Sequence, residues 1–217
     1  MMSRINIKVH NKTLVVNLPE TCQVLSWAPF NPGPTQTRCI FNHQLDEGIK
    51  EKLSDIFKNL QKDIGLPENA VGLLTSAEVE KYSTRYMLSS RHWVETVCTV
   101  GLDNSRTAGE AADVKKTDEK NPYGTINIIL ATNALPHVSG QLEAIQVATM
   151  AKTRALFDMG VKSRKSGTPA TGTGTDCIVL ASSGEVKQNF CGMHTRLGEL
   201  IGQTVYEAVK EGIKNSL

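Results

Sequence analysis

Short runs that alternate apolar and polar residues dominate the first fifth of the chain and predict β-structure. The pattern gives four strands, at residues 5–9, 13–18, 22–28 and 37–42. Asn11-Lys12 lies between the first two strands and predicts a hairpin turn, whereas Asn31-Pro32-Gly33-Pro34 separates the second pair. This part of the chain is therefore expected to form antiparallel sheet.

Helical spacing of apolar residues begins after the fourth strand. It predicts one helix from about Leu45 to Asp63, and Thr75-Ser76 offers an N-cap for a second helix that ends at about Leu88. Residues 92–102 read as a strand. The charged and glycine-containing stretch 103–124 predicts a long exposed loop, for which a solvated surface is the simplest interpretation.

The second half repeats the order strand, helix, loop. It predicts strands at 124–131 and 176–181, helices at about 140–159 and 195–213, and a loop at 162–174. Both strands are nearly continuous apolar runs, which is typical of strands that are covered on both faces. The segments GTINIILATN and GTDCIVLASS match at an offset of 50 residues, either through duplication or because a short buried strand imposes that composition.

These elements predict one compact α/β domain over residues 1–217. The sheet is expected to be mixed, with an antiparallel N-terminal part and helices packed on it.

Composition narrows the classes of function. The chain has 24 Lys and Arg against 22 Asp and Glu, and 5% of its 217 residues are aromatic, which disfavours a nucleic-acid surface that depends on charge or stacking. No apolar stretch has the length of a membrane helix and the start has no apolar signal segment, so a soluble cytoplasmic protein without a membrane partner is expected. Five scattered cysteines favour reduced thiols over disulfides or a structural metal site.

The densest candidate site is the segment that enters the last strand, where glycines alternate with hydroxyl residues before a carboxylate. Its residues are Thr171, Gly172, Thr173, Gly174, Thr175 and Asp176. Glycine lets backbone amides approach a ligand closely, and the hydroxyls add donors and acceptors. A plain Gly/Thr loop, with Asp176 bonded to backbone amides, is the structural alternative.

Four other polar residues could join that segment. Lys152 falls within the apolar stripe of its helix, so either it extends to solvent or its ammonium group is held near the strand ends, where it could stabilise an oxyanion. Asn127 interrupts an apolar strand and Asn104 lies in a loop; each would contact a ligand or belong to a structural network. His194, just before the last helix, could transfer protons or be structural.

Several of these motifs, taken in order, resemble the adenosylcobinamide amidohydrolase family. The resemblance covers about residues 20–213 and rests on Val24-Leu25-Ser26-Trp27-Ala28, 104–109, 124–129, Ala151-Lys152-Thr153, 170–176 and Gly192-Met193-His194-Thr195. It implies hydrolysis of the amide that joins aminopropanol to the corrin ring of adenosylcobinamide, which makes this corrinoid the expected substrate. Separately, no cofactor or metal is expected, and the oligomeric state is left open between a monomer and a homo-oligomer. Met150 departs from the family pattern, in which glutamate usually precedes the alanine.

Amide hydrolysis requires a nucleophile, an oxyanion donor and a proton for the amine. The hypothesis from the sequence assigns Asp176 or His194 as the base, acting on water or on a loop threonine such as Thr175. Lys152 with the Gly172 and Gly174 amides would stabilise the oxyanion, and Asn104 and Asn127, with residues 171–174, would hold the substrate. The alternatives are a corrinoid-binding protein without hydrolysis and a nucleotide-dependent transferase.

Overall fold

The computed structural model describes residues 3–46, 51–112 and 124–217. In chain order its strands are β1 Asn6–His10, β2 Thr13–Ser26, β3 Gly33–Gln44, β4 Val71–Thr75, β5 Ser83–Ser89, β6 His92–Val100, β7 Ser105–Arg106, β8 Ile126–Pro136, β9 Gly172–Thr173 and β10 Cys177–Gln188. The α-helices of this part of the chain are α1 Leu53–Ile64, α2 Val138–Asp158 and α3 Arg196–Ser216.

One open mixed sheet carries most of these strands, in the order β4-β3-β2-β10-β8-β6-β5, and β1 pairs with β2 at its side. The predicted α/β class and mixed sheet are therefore confirmed. The antiparallel pairs include β1–β2 and β2–β3, whereas β8 and β10 are parallel. Their register pairs Asn127 with Cys177, an offset of 50, so the two similar segments lie side by side.

Three hydrophobic cores show that the sheet folds over on itself. The first core fills the space between α2, α3 and one face of β6, β8 and β10, and includes Ile128 and Ile201. The second core combines the other face of those strands with β2, β3 and β4, so that Val179 and Leu73 belong to one cluster. The third core lies between β3, β4 and α1, around Phe41. The chain thus stacks helices, two sheet halves and one further helix.

Buried polar side chains connect the two facing sheet halves. Asn127 Nδ2 donates to the Leu74 carbonyl at 2.8 Å and to Asn42 Oδ1 at 3.0 Å, and Asn42 Nδ2 donates to Thr99 Oγ1 at 2.8 Å. β4 and β8 are far apart in the strand order, so these hydrogen bonds require the sheet to bend.

The predicted helix from Thr75-Ser76 to Leu88 is wrong. The structure has a single 3-10 turn followed by β5, all seven residues of which pair with β6, from Ser83 opposite Cys98 to Ser89 opposite His92. Thr75 Oγ1 accepts from the Ala77 amide, 3.0 Å away, so the apparent N-cap is a local turn. Pairing along a sheet edge outweighs a weak helical pattern.

Other boundaries differ in smaller ways. The first helix begins at Leu53 and not near Leu45, whose amide donates to the Thr75 carbonyl at 2.8 Å. Part of the predicted span, 47–50, lies outside the described residues. The strands predicted at 124–131 and 176–181 extend to Pro136 and Gln188. Both predicted loops contain a short strand, and 113–123 of the first lies outside the described residues.

None of the described helices combines the length and apolar character needed to cross a membrane.

Two of the three glycines of α3, Gly198 and Gly202, give a matched test of packing. A Cβ on Gly198 would lie 2.5 Å from the Cys191 carbonyl oxygen, whereas a Cβ on Gly202 would meet only Val147 Cγ1 at 3.7 Å. Gly198→Ala should therefore lower the free energy of unfolding by about 1–3 kcal/mol, because backbone must shift. Gly202→Ala should raise it by up to about 1 kcal/mol through helix propensity. Denaturant titration of both variants measures the two free energies of unfolding. Equal changes in the two variants would contradict the close packing at Gly198.

Candidate functional site

A buried ion pair supports the loop that precedes β10. Lys152 of α2 places its Nζ against Asp176 Oδ2, and their side chains are 8% and 12% exposed. Asp176 Oδ2 also accepts from the Thr173 amide at 3.1 Å, while Oδ1 accepts from the Ile126 amide at 3.0 Å and from Thr173 Oγ1. These four donors occupy the usual acceptor sites of a carboxylate. Asp176 therefore has no free lone pair with which to accept a proton from water.

The same pair explains why residue 172 is glycine. A Cβ there would lie 2.8 Å from Lys152 Nζ, and a Cβ on Gly174 would lie 2.6 Å from Asn104 Nδ2. The Gly174 amide donates to the Asn104 carbonyl at 3.1 Å. Both glycines thus permit close packing within the loop, and the Gly174 amide is already bonded.

The loop threonines differ in what they contact. Thr171 Oγ1 accepts from the Ala108 amide at 2.8 Å, and Thr173 Oγ1 donates to Asp176. Thr175 Oγ1 donates to the Gly124 carbonyl at 3.2 Å. Thr171 and Thr173 therefore hold the loop together, whereas Thr175 also reaches a cavity.

A cavity of about 510 Å³ opens at the edge where β8 and β10 begin, between the two sheet halves. Its lining combines an apolar wall from the β4 half with polar groups from the β8–β10 half. The lining residues are Pro29, Leu45, Leu73, Leu74, Thr75, Ser76, Asn104, Arg106, Gly124, Thr125, Asn127, Gly174, Thr175 and Cys177. A volume of this size is typical of small-molecule sites, which range over about 300–1,000 Å³.

Two predicted residues bring free hydrogen-bonding groups to this cavity. The side-chain amide of Asn104 makes no hydrogen bond within the part of the chain that the structure describes. Asn127 is 2% exposed and its Nδ2 is bonded across the sheet halves, but its Oδ1 has no partner among the described residues. Asn127 therefore serves both a structural network and the cavity lining.

His194 lies at the opposite edge of the sheet. It follows β10, whose 12 residues span roughly 35 Å, whereas Asp176 precedes that strand. The adjoining loop is held by Glu143 Oε2, which accepts from the Cys191 amide at 2.7 Å and from the Gly192 amide at 3.1 Å. His194 is thus separated from Asp176 and the cavity, so the structure does not bring the two alternative bases of the hypothesis together.

Two further polar residues of the lining, Arg106 and Thr125, are not among the site residues predicted from the sequence. Arg106 lines the cavity, and its guanidinium forms an ion pair with Glu110 at 3.6 Å. Thr125 is 4% exposed, and its Oγ1 has no hydrogen-bond partner among the described residues. Each lies within a motif of the family resemblance, but a threonine that starts an apolar strand gives no other signal.

The described residues around the cavity favour neither a cysteine nucleophile nor a metal-binding site. Cys177 lines the cavity, but burial raises the pKa of its thiol to about 12, which disfavours the nucleophilic thiolate near neutral pH. The described residues contain no group of three or more His, Cys, Asp or Glu side chains that could hold a metal ion.

Comparisons with known proteins agree with the sequence motifs. The sequence model of the adenosylcobinamide amidohydrolase family matches residues 1–217. An adenosylcobinamide amidohydrolase of Methanosarcina mazei is 27% identical over 197 residues, which cover 85% of this chain and 86% of that protein. An uncharacterised protein of Methanocaldococcus jannaschii is 28% identical over 221 residues, which cover 93% of this chain and 86% of the relative.

Solved structures give weaker likenesses. A β-aminopeptidase of Burkholderia sp. has a TM-score of 0.46 at 9% identity, over 94% of this chain and 78% of that one. A protein of Pyrococcus horikoshii has a TM-score of 0.41 at 12% identity, over 94% of this chain and 76% of its own. Both scores lie below 0.5 and carry no weight for the function.

Proposed function

The chain belongs to the adenosylcobinamide amidohydrolase family, and we propose that it hydrolyses the amide between aminopropanol and the corrin ring of adenosylcobinamide. The products are adenosylcobyric acid and aminopropanol, which would serve cobamide salvage. The observation that carries the proposal is the cavity of about 510 Å³, where unpartnered polar groups face an apolar wall.

The size of the cavity suggests how the substrate binds. A corrin ring with its side chains and adenosyl group is larger than this cavity, so the ring stays at the mouth. The slender aminopropanol arm with its amide enters. Leu73 and Leu74 then face the methylene and methyl groups of the arm, while polar groups on the opposite wall meet the amide.

Polar groups of the lining fit the demands of amide cleavage. The Asn104 side-chain amide and the Arg106 guanidinium are donors for the oxyanion that forms at the carbonyl. Asn127 Oδ1 is an acceptor for the amide N–H. Lys152 and Asp176 contribute indirectly by holding the 172–175 loop, a positioning role that replaces the base and oxyanion donor predicted from sequence.

Trp27 offers a surface for the corrin ring at the mouth. Its indole is 52% exposed, and its Nε1 donates to the Asp176 carbonyl at 2.9 Å, between two lining residues. An anchored apolar ring of this kind can cover one face of a large ligand at little cost in conformational entropy.

Trp27→Ala should therefore raise KM for adenosylcobinamide about tenfold with little change in kcat, because apolar contact is lost equally in the ground state and the transition state. Steady-state kinetics measures the two constants. Phe190→Ala is the matched control, since Phe190 is 64% exposed but follows β10 at the opposite edge. Equal effects of the two substitutions would contradict a corrin surface at Trp27.

Product analysis tests the function itself. Mass spectrometry after incubation of the purified protein with adenosylcobinamide should show stoichiometric aminopropanol and adenosylcobyric acid. Recovery of unchanged adenosylcobinamide that co-elutes with the protein would instead identify a corrinoid-binding protein without hydrolysis. A requirement for ATP and magnesium would identify a transferase.

A cytoplasmic location completes the proposal. All five cysteines are free and buried, as is typical of a reducing compartment.

A further inference from the structure

One residue that lines the cavity carries a buried hydroxyl without a hydrogen-bond partner. Four buried side-chain polar atoms lack a hydrogen-bond partner in the described part of the chain, on Thr84, His92, Glu110 and Thr125, and Thr125 is the one that lines the cavity. Buried hydroxyls are normally hydrogen-bonded, because desolvation without a partner costs free energy. A ligand in the cavity would supply the partner that the Thr125 hydroxyl lacks.

The backbone around Thr125 is fixed on three sides. The Gly101 amide donates to the Thr125 carbonyl at 3.0 Å, the adjacent Ile126 amide donates to Asp176 Oδ1, and the preceding Gly124 carbonyl accepts from Thr175 Oγ1. A β-branched side chain has few rotamers on such a backbone. The hydroxyl is thus held in a preorganised position at the start of β8, as a reacting group requires.

The other nucleophilic groups of the 171–177 segment, on the same side of the cavity as Thr125, are bonded or buried. The hydroxyls of Thr173 and Thr175 donate to Asp176 and to the Gly124 carbonyl, and Thr171 Oγ1 accepts from the Ala108 amide. The Cys177 thiol is buried, and its pKa is raised. Compared with these groups, only Thr125 has a hydroxyl with no internal partner; the remaining lining hydroxyls, of Thr75 and Ser76, lie at the end of β4 on the facing wall.

We propose that Thr125 is the nucleophile of the reaction, an inference that rests on the proposed function. Thr125 Oγ bonds to the amide carbon, and the resulting oxyanion is stabilised by Asn104 and Arg106. The carbon–nitrogen bond then breaks, the hydroxyl proton ends on the aminopropanol nitrogen, and an ester to Thr125 remains. Water adds to the ester carbon, the acid leaves, and a proton from that water restores the Thr125 hydroxyl.

Three variants test this step. Thr125→Val keeps the shape and should lower kcat/KM on the order of 10³-fold or more, while its Tm stays equal or rises because an unpaired hydroxyl has been removed. Thr125→Ser keeps a hydroxyl and should retain measurable turnover. Thr84→Val is the matched control: it removes another unpartnered buried hydroxyl, on β5 and outside the cavity lining, and should leave kcat/KM unchanged.

Trapping separates a nucleophile from a residue that only binds substrate. With hydroxylamine present, the unmodified enzyme should divide its product between the acid and the hydroxamate of the corrin, because the ester on Thr125 can react with either nucleophile. Thr125→Val should form neither at a comparable rate.

Two results would overturn the assignment while the proposed function stands: hydrolysis by Thr125→Val within tenfold of the unmodified enzyme, or acid as the sole product in hydroxylamine. Failure of the unmodified enzyme to release aminopropanol would instead refute the proposed function, and the assignment with it.

Discussion

Replacing Lys152 by methionine should lower the free energy of unfolding by about 3–5 kcal/mol, because the Asp176 carboxylate would remain buried without its cation. The effect is expected to be large because the two side chains are only 8% and 12% exposed and α2 is otherwise packed in the first core. Hydrolysis should also fall, since the 172–175 loop loses its support. Urea titration followed by circular dichroism measures the loss.

Two further variants calibrate that result. Lys81→Met breaks an exposed pair with Glu78 at 3.0 Å and should cost less than about 1 kcal/mol. Adding Asp176→Asn to Lys152→Met removes the uncompensated charge and should recover part of the stability. A loss from Lys152→Met no larger than that from Lys81→Met would contradict a buried, tightly held pair.

Asn104→Ala should reduce kcat/KM for adenosylcobinamide on the order of 10²–10³-fold, the usual effect of removing one oxyanion donor. Its stability should change by less than about 0.5 kcal/mol, because the side-chain amide makes no hydrogen bond among the described residues. Alanine also keeps the carbonyl that accepts from the Gly174 amide. Steady-state kinetics with a thermal melt separates activity from folding.

His194→Ala is the matched comparison for Asn104→Ala. The sequence suggests both residues, but the structure places His194 at the opposite edge of the sheet, so its turnover should stay within about twofold of the unmodified enzyme. A large loss from His194→Ala beside a small loss from Asn104→Ala would reverse the assignment of the site.

Elements with strong local patterns could be predicted from the sequence, and elements defined by distant pairing could not. The continuous apolar run at 124–131 predicts a buried strand, and the spacing of apolar residues at 195–213 predicts a helix. β5 was missed because its conformation follows from pairing with β6, which no local window contains. The sheet bends so that its two halves face each other, and this bend depends on contacts between distant residues. One example is the hydrogen bond from Asn127 to the Leu74 carbonyl, which joins residues 53 positions apart.

The candidate site shows the same division. Alternating glycines and hydroxyls marked the 171–176 loop, and the structure brings Asp176 together with Lys152 there. Sequence could not show that Asp176 is fully hydrogen-bonded, nor that Thr125 is left unpartnered, because both facts depend on which atoms meet in the folded chain. Residue types in the sequence indicate which groups could take part in catalysis. The hydrogen bonds of the folded chain determine which of those groups are free to do so.

A crystal structure of the enzyme with adenosylcobyric acid would test the cavity assignment most directly. The account predicts that the product carboxylate lies in the cavity, about 3 Å from the Thr125 hydroxyl and the Asn104 amide, with the corrin ring at the mouth. A carboxylate bound in the groove of about 220 Å³ at the opposite edge, beside Pro136 and Gln141, or elsewhere on the surface, would contradict it.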